Sequence, residues 1–283
     1  MATENREMDV TTGNNSRGMT DRRLTIRVSR YSLSFSTVSM VTGNENPVIF
    51  EPYTVKSGIS MAANLREALK TASLPARDYG RVTVMIDSPV LLIPVGMFGE
   101  DSCAMLYAHS YPGNGNSVVL HNVLPEQNAV AAFAVNRDLK LVIDDRYRDA
   151  QFLCAMSPVW RYLHQRSFVG SRNKLFGYFH DRKVEVFGFC QNRFKYCNAF
   201  DASHAQDALY YLLHVWKQLM LKPEYDEMHI VGDIPEQEWM IEELRRYLQR
   251  AYIINPSGDF NRASATRVKG MPYDLVTYYV KGR

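Results

Sequence analysis

Cysteine and histidine, the residues that most often bind transition metals or act as nucleophiles, are scattered along this sequence. The four cysteines, Cys103, Cys154, Cys190 and Cys197, form no C-x-x-C pair, so a tight zinc knuckle is not expected. We interpret them as buried, small apolar side chains of a protein in a reducing compartment. None of the seven histidines lies four residues from another, the spacing that a zinc-binding helix requires.

The remaining motifs that carry common chemistries are also incomplete. The sequence contains no P-loop, no G-x-G-x-x-G and no G-x-S-x-G, so neither the usual phosphate loops nor a nucleophile elbow is present. Asp144 and Asp145 are adjacent on a predicted helix, and adjacent side chains on a helix point apart. We therefore interpret this pair as a solvated helix end and predict no metal site.

The composition is that of an ordinary globular protein. The chain has 283 residues, 46% of them hydrophobic, and 33 Lys plus Arg against 30 Asp plus Glu give a net charge of +3. These values exclude collagen-like, coiled-coil and wholly disordered classes. Arginines cluster only at positions 22, 23, 27 and 30 and at 245, 246 and 250. Because a nucleic-acid surface needs a concentrated basic face, we predict no nucleic-acid partner.

The first twenty residues are polar and charged and contain no apolar run. Such a segment cannot bury enough surface to offset the entropy of the chain, so we predict a disordered leader over residues 1–20. It has no apolar core of a signal peptide, and no later window is apolar enough for a membrane helix. We predict a cytoplasmic protein without a membrane span; the oligomeric state stays open.

Alternating apolar residues predict strands at the beginning of the chain. Residues 24–29 and 31–38 both alternate with period two, as a strand pair with one buried face does. A third strand is predicted at residues 47–50, a helix at residues 60–71 and a further strand at residues 81–87.

The second half repeats this order of elements. Strands are predicted at residues 174–180, 183–189 and 193–199, and Ser203 with Gln206 forms the S-x-x-Q pattern of a capping box before a helix. A buried strand at 228–231 follows, and then a helix at 236–250.

Each half therefore has the order strand, strand, strand, helix, strand. The segment between them adds strands near 116–123, 128–135 and 151–156 and helices near 137–145 and from Pro158 onward. We place the boundary near Gly170, which predicts a leader (1–20), a first lobe (21–170) and a second lobe (171–283).

The duplicated order resembles the plan of the actin-like ATPase superfamily, which includes actin, Hsp70 and sugar kinases. Residues 24–38 (LTIRVSRYSLSFSTV) look like the first phosphate hairpin of that superfamily. The chain is also similar to an uncharacterised bacterial family, a domain of unknown function seen chiefly in Bacteroidetes, whose members have an actin-like ATPase fold. Residues 24–38, 128–135, 207–212 and 229–234 carry this similarity. It implies an α/β, duplicated actin-like ATPase (ribonuclease H-like) fold of two lobes, each with a mixed sheet flanked by helices.

The resemblance also indicates where nucleotide chemistry is lost. Active members carry Asp-x-Gly in the first hairpin, and here these positions fall on Arg27 and Ser29. Arginine is a permanent cation and cannot ligate magnesium, although it can contact phosphate; the alternative is a solvent-side or salt-bridged strand residue. In the second hairpin, Gly177 or Tyr178 takes the place of the acid. Of two adjacent glycines in the adenosine loop, only Gly232 remains. It could allow close approach of a base or ribose, but a lone glycine between a strand and a helix more often serves the turn itself.

We therefore expect no ATP hydrolysis and no catalytic residue. The leading hypothesis is a non-catalytic cytoplasmic protein, a degenerate actin-like pseudoenzyme that acts as a binding or scaffold module for a protein partner. The alternative is a nucleotide-binding protein or weak ATPase that uses the interlobe cleft, with Arg27, Ser29 and Gly232 contacting the nucleotide. No cofactor is expected, and ATP is the one candidate.

Overall fold

The computed structural model describes residues 22–38, 47–113 and 115–281, so the predicted leader lies outside the described residues. Its strands are β1 (Arg23–Val28), β2 (Leu33–Val38), β3 (Val48–Tyr53), β4 (Arg81–Ile86), β5 (Val90–Pro94), β6 (Ser117–Leu124), β7 (Ala129–Asn136), β8 (Gln151–Cys154), β9 (Lys174–His180), β10 (Lys183–Cys190), β11 (Arg193–Asp201), β12 (Glu227–Gly232) and β13 (Ala251–Ile253). Its α-helices are α1 (Met61–Thr71), α2 (Glu100–Ser110), α3 (Arg137–Arg146), α4 (Ser157–Ser167), α5 (Ala205–Gln218), α6 (Gln237–Tyr247), α7 (Pro256–Asp259) and α8 (Tyr273–Lys281).

Two five-stranded sheets have the same topology. The first has the order β3-β2-β1-β4-β8 and the second the order β11-β10-β9-β12-β13. In each sheet the first three strands form an antiparallel meander, and the fourth strand pairs in parallel with the first. The predicted α/β class with a duplicated mixed sheet is therefore confirmed.

A third sheet is inserted into the first half. Strands β5, β7 and β6 pair antiparallel in that order, and α2 packs against them through Cys103 and Tyr107. The sequence interpretation found β6 and β7 but missed β5 and α2. Helix α2 has an exposed Met105 and Leu106, so its apolar residues do not follow the one-sided period that identifies a surface helix.

The helices that follow the two meanders begin differently. The Ser60 Oγ accepts a hydrogen bond from the Ala63 amide and caps α1. The predicted capping box at Ser203 and Gln206 is wrong, since α5 has His204 at its N-cap and no side-chain cap hydrogen bond. The Ser203 amide instead donates to Asp201, which ends the preceding strand.

The C-terminal helix α8 packs on the sheet of the first half. Leu275 is buried with Met85 and Ala155, Tyr278 hydrogen-bonds Thr83, and the hydroxyl of Tyr279 lies 2.9 Å from Ser36 Oγ. The boundary near Gly170 stays a prediction. The helix nevertheless brings its own first turn, and with it Asp274, to the junction of the two halves.

One apolar core extends across both halves. It joins Leu24, Ile26 and Phe35 of the first sheet with Phe176 and Phe187 of the second. A second core lies on the outer face of the second sheet, under α5 and α6. Within the described part of the chain, no helix is both long and apolar enough to cross a membrane.

Candidate functional site

Amide groups of the turn between β1 and β2 donate hydrogen bonds within the turn itself. The Ser29 Oγ accepts hydrogen bonds from the amides of Tyr31 and Ser32, at 3.2 and 2.9 Å. The Ser29 amide donates to the carbonyl of Ser32. In a phosphate-binding hairpin these amides point at the ligand, so a serine side chain here occupies the donors that a phosphate would use.

Arg27 lies at the centre of the junction between the halves and is 1% exposed. Its Nε lies 2.9 Å from both carboxylate oxygens of Asp274, and its Nη2 lies 2.8 Å from Asp274 Oδ2. Nη1 donates to Ser32 Oγ at 2.8 Å. Burial by itself lowers the pKa of Arg27, because it disfavours the charged form. The charge of Asp274 and its hydrogen bonds outweigh burial and raise this pKa above the ordinary value. The salt-bridged interpretation of Arg27 therefore describes its position.

Asp181 connects the second hairpin to the first. This residue and Arg182 both have positive φ and form the two-residue turn between β9 and β10. The Asp181 carboxylate accepts from Arg27 Nη2 at 3.0 Å and from the Ser29 hydroxyl at 2.9 Å. Burial opposes its ionisation, but His180 and Arg27 outweigh burial and hold the pKa of Asp181 well below its usual range. Asp181 therefore both forms the turn and links the two hairpins.

Arg27 and Tyr178 occupy equivalent positions on the central strands of the two sheets. Arg27 pairs with Met85, the penultimate residue of β4, and Tyr178 pairs with Val231, the penultimate residue of β12. The Tyr178 hydroxyl lies 3.2 Å from Asp274 Oδ2 and accepts the Asp274 amide. Burial and the Asp274 charge raise the pKa of Tyr178. Arg27 and Tyr178 therefore both contact this one carboxylate.

A second bridge joins the halves beside this cluster. Asp87, directly after β4, lies 2.8 Å from Lys183 Nζ, which also lies 2.8 Å from Glu185. Burial lowers the pKa of Lys183, but the two carboxylates outweigh it and raise this pKa above the ordinary value. His180 Nδ1 lies 3.5 Å from Asp87 and 3.4 Å from Asp181.

Among the described residues, Asp87, His180 and Asp181 have the mutual spacing of metal ligands. Lys183 already neutralises Asp87, and Arg27 neutralises Asp181. A divalent cation would have to displace one of these cations, which makes the arrangement a network of ion pairs rather than an open coordination site.

Gly232 lies at a different place from Arg27 and Ser29. Its φ is 102°, and a Cβ at this position would lie 2.0 Å from the Phe179 carbonyl oxygen. The Asp233 amide donates to that same oxygen at 2.9 Å. The close approach of β12 to β9 therefore requires glycine. Gly232 also lines a cavity of about 250 Å³ with Tyr178 and Tyr273, so the structure brings together only two of the three predicted nucleotide contacts.

A larger cavity opens beside the two hairpin turns. It has a volume of about 390 Å³ and is lined by residues of both halves, among them Tyr31, Asp87, Trp160 and Arg182. The guanidinium of Arg182 lies 5.2 Å from the centre of the Tyr31 ring. The cleft between the halves is thus closed at the hairpins by the Arg27 ion pairs and open next to them.

The sequence interpretation missed Asp274, Asp87 and Lys183. Asp274 has the clearest signal in retrospect, because it is a carboxylate within an otherwise apolar run, YDLVTYYV. It is 0% exposed, and such a residue needs a partner. Asp87 and Lys183 carry no comparable signal, since both stand at strand ends where charged residues are common.

Comparisons with known proteins identify a family and similar folds. The model of a family described as "Protein of unknown function (DUF3822)" matches residues 14–250. A crystal structure from Bacteroides thetaiotaomicron VPI-5482, a protein with actin-like ATPase fold and unknown function, is 24% identical. The match covers 91% of this chain and 100% of that chain, with a TM-score of 0.78. This similarity confirms the predicted actin-like fold.

A more distant similarity is to the PilM–PilN type IV pilus biogenesis complex. The identity is 12%, the match covers 92% of this chain and 98% of that chain, and the TM-score is 0.53. At this identity the likeness shows the fold alone. No curated protein matches the sequence.

Proposed function

This chain belongs to the family of proteins of unknown function DUF3822, and we propose that it is a non-catalytic binding or scaffold module with a degenerate actin-like fold. One observation carries the proposal. The guanidinium of Arg27 fills the space between the two hairpins, where active relatives hold phosphate, and its Nε, Nη1 and Nη2 atoms bind Asp274, Ser32 and Asp181. These nitrogens are therefore already committed to protein oxygens.

The surroundings support the same conclusion. Ser29 takes up the amides of the first hairpin turn, and the buried Tyr178 occupies the corresponding position of the second hairpin. A nucleotide would have to break these contacts without gaining a metal-binding carboxylate at position 27. The exchange is unfavourable because it leaves Asp274, which is fully buried, without its cation.

Two observations support the proposal that the protein acts in the bacterial cytoplasm. All four cysteines are free thiols, as expected in a reducing compartment, and the similar crystal structure is bacterial. We therefore propose a bacterial, cytoplasmic protein. The PilM–PilN structure is named as a complex, and it supports a partner-binding role only as an example of this fold in an assembly.

A second candidate, ligand binding in the cleft, is favoured by the cavity of about 390 Å³. A titration with Mg-ATP separates the two candidates. If ATP bound with a Kd of about 10 μM, then about 1 mM would stabilise the fold by about 2.7 kcal/mol. That corresponds to a rise in Tm of roughly 5 °C.

We expect no rise in Tm, no saturable heat in calorimetry and no release of phosphate. A known Mg-ATP-binding protein measured in parallel establishes that the assay detects binding. Saturable Mg-ATP binding that is lost in Arg182→Glu, a change at the wall of the cavity, and retained in the exposed Lys217→Glu control would overturn the proposal in favour of the second candidate.

A further inference from the structure

Arginines from separate segments meet at one edge of the first sheet. Strands β1 and β4 run in parallel, and their first residues, Arg23 and Arg81, are direct partners. The carbonyl of Arg22 accepts the amides of Gly80 and Arg81. Arg77 lies just before this point, and its charge and that of Arg22 both act on the hydroxyl of Tyr79. In the sequence, Arg22 and Arg23 are more than fifty residues away from Arg77 and Arg81.

Two helix ends extend this surface. Helices α1 and α3 pack against each other and bring Arg66, Lys70 and Arg146 together. Two cavities of about 250 and 360 Å³ lie side by side, with Arg146 in the lining of both; we call this pair of cavities the groove. We name the cations of this groove the basic edge; they are Arg66, Lys70, Arg77, Arg81, Arg146 and Arg148, with Arg22 and Arg23 beside them.

The basic edge is charged and exposed. Each of its side chains is exposed to solvent. Among the described residues, none of them forms an ion pair with a carboxylate. Six cations line the groove, against three carboxylates, Asp78, Asp145 and Asp149. Because the whole chain has a net charge of only +3, this concentration of positive charge creates a local field that attracts an anionic partner.

We propose that the basic edge binds an acidic segment of a protein partner. Arginine forks bind carboxylates with two parallel hydrogen bonds, which gives direction as well as charge. Two neighbouring cavities fit an extended polypeptide better than a flat lipid surface. The inference rests on the proposed binding function and names the chemistry of its partner.

Two features favour a polypeptide over a nucleic acid. The three carboxylates among the cations repel closely spaced phosphates, whereas a polypeptide can place Lys or Arg beside them. The two tyrosines of the groove, Tyr79 and Tyr147, are half-buried, and Arg146 lies 5.7 Å from the centre of the Tyr147 ring. Burial of both rings and the cation over the Tyr147 ring leave little free aromatic face on which a base could stack.

The test uses the full chain and three probes. A fluorescein-labelled Glu-rich peptide is titrated by fluorescence anisotropy, together with an oligothymidylate of equal charge and vesicles of phosphatidylglycerol. We expect the peptide to bind most tightly, and its affinity to fall between about 50 and 200 mM salt, since exposed charges are screened over about a Debye length. The double variant Arg81→Glu/Arg148→Glu should weaken peptide binding by roughly tenfold or more.

The control has the same change in net charge at a distance from the groove. Lys217→Glu/Lys269→Glu alters two exposed lysines and should leave the affinity unchanged. All four positions are exposed, so melting curves should coincide with that of the wild type. Equal peptide affinity of the two double variants would refute the proposal, as would tighter binding of the oligothymidylate or of the vesicles. Salt-dependent self-association that is lost in Arg81→Glu/Arg148→Glu would assign the basic edge to a second copy instead. None of these outcomes depends on the Mg-ATP titration, so the two proposals fail separately.

Discussion

The buried ion pair between Arg27 and Asp274 should dominate the stability of the junction between the halves. Asp274→Asn keeps the size of the side chain and removes its charge. In the native structure, Arg27 makes three contacts of 2.8–2.9 Å with this carboxylate, and the two side chains are 1% and 0% exposed. Asp181, at 3.0 Å, then remains as the single carboxylate in contact with Arg27.

The size of the effect follows from the cost of an uncompensated buried charge. Removing one partner of a buried pair costs about 3–5 kcal/mol. Since Asp181 still neutralises part of the Arg27 charge, we expect the lower end, about 3 kcal/mol. For a chain of this size the Tm should fall by roughly 6 °C.

Urea denaturation followed by circular dichroism measures the change, with midpoint and slope compared between variants. A double-mutant cycle with Arg27→Met tests the pairing itself. The loss in free energy of unfolding of the double variant Arg27→Met/Asp274→Asn should be smaller than the sum of the two single losses, by about 1 kcal/mol or more. The exposed pair of Lys56 and Glu67 is the control, and Glu67→Gln should leave the midpoint unchanged. A loss below about 1 kcal/mol for Asp274→Asn, or strict additivity in the cycle, would refute the reasoning.

Three further changes test other parts of the structure. Gly232→Ala places a Cβ 2.0 Å from the Phe179 carbonyl at a φ of 102°, so urea denaturation should show a loss of more than about 2 kcal/mol. Burial lowers the pKa of His229 and outweighs its hydrogen bond to Glu227. The stability that comes from the neutral imidazole is therefore complete above its ordinary pKa of 6.5 and is lost as the pH falls through the lower folded value. The urea concentration at the denaturation midpoint should therefore decrease as the pH is lowered to about 5, and it should decrease less in His229→Phe. Ser60→Ala removes the cap of α1 and should cost about 1 kcal/mol in the same assay.

Each of these has its own control. A Cβ added at Gly58 would meet no other atom within 4 Å, so Gly58→Ala should be nearly neutral; equal losses at Gly58 and Gly232 would contradict the argument from close backbone approach. A pH profile unchanged by His229→Phe would show that another group controls the acid limb. For Ser60, Thr should restore most of the loss because its hydroxyl can cap in the same way.

The order of the strands was largely predictable from the sequence, because apolar runs and the turn residues between them are local signals. The expectation that the first strand pair has one buried face is wrong, since β1 and β2 are buried on both faces. The misreadings have physical causes as well. The Ser203–Gln206 pattern forms no capping box because the Ser203 amide donates its hydrogen bond to Asp201 instead. Helix α2 was missed because its apolar residues do not lie on one side.

Only part of the candidate site could be predicted from the sequence. The sequence indicated that Arg27 stands where active relatives have a carboxylate, since that depends on its position within a single hairpin. It could not indicate which groups bind this arginine. Asp274 lies 247 residues away and Asp181 lies 154 residues away, and no local pattern links such distances.

What the sequence determined by itself is the set of local choices: two similar strand meanders, the helices that follow them, and an arginine at position 27 of the first hairpin. What only the tertiary structure decided is which charges meet. Folding places Arg27 between two carboxylates from the far half, where burial makes its charge a structural link. Folding also aligns the first residues of β1 and β4 with the ends of α1 and α3, where dispersed arginines become one basic edge. The reason is physical, because local propensity acts over a few residues, whereas charge and burial depend on distances in space.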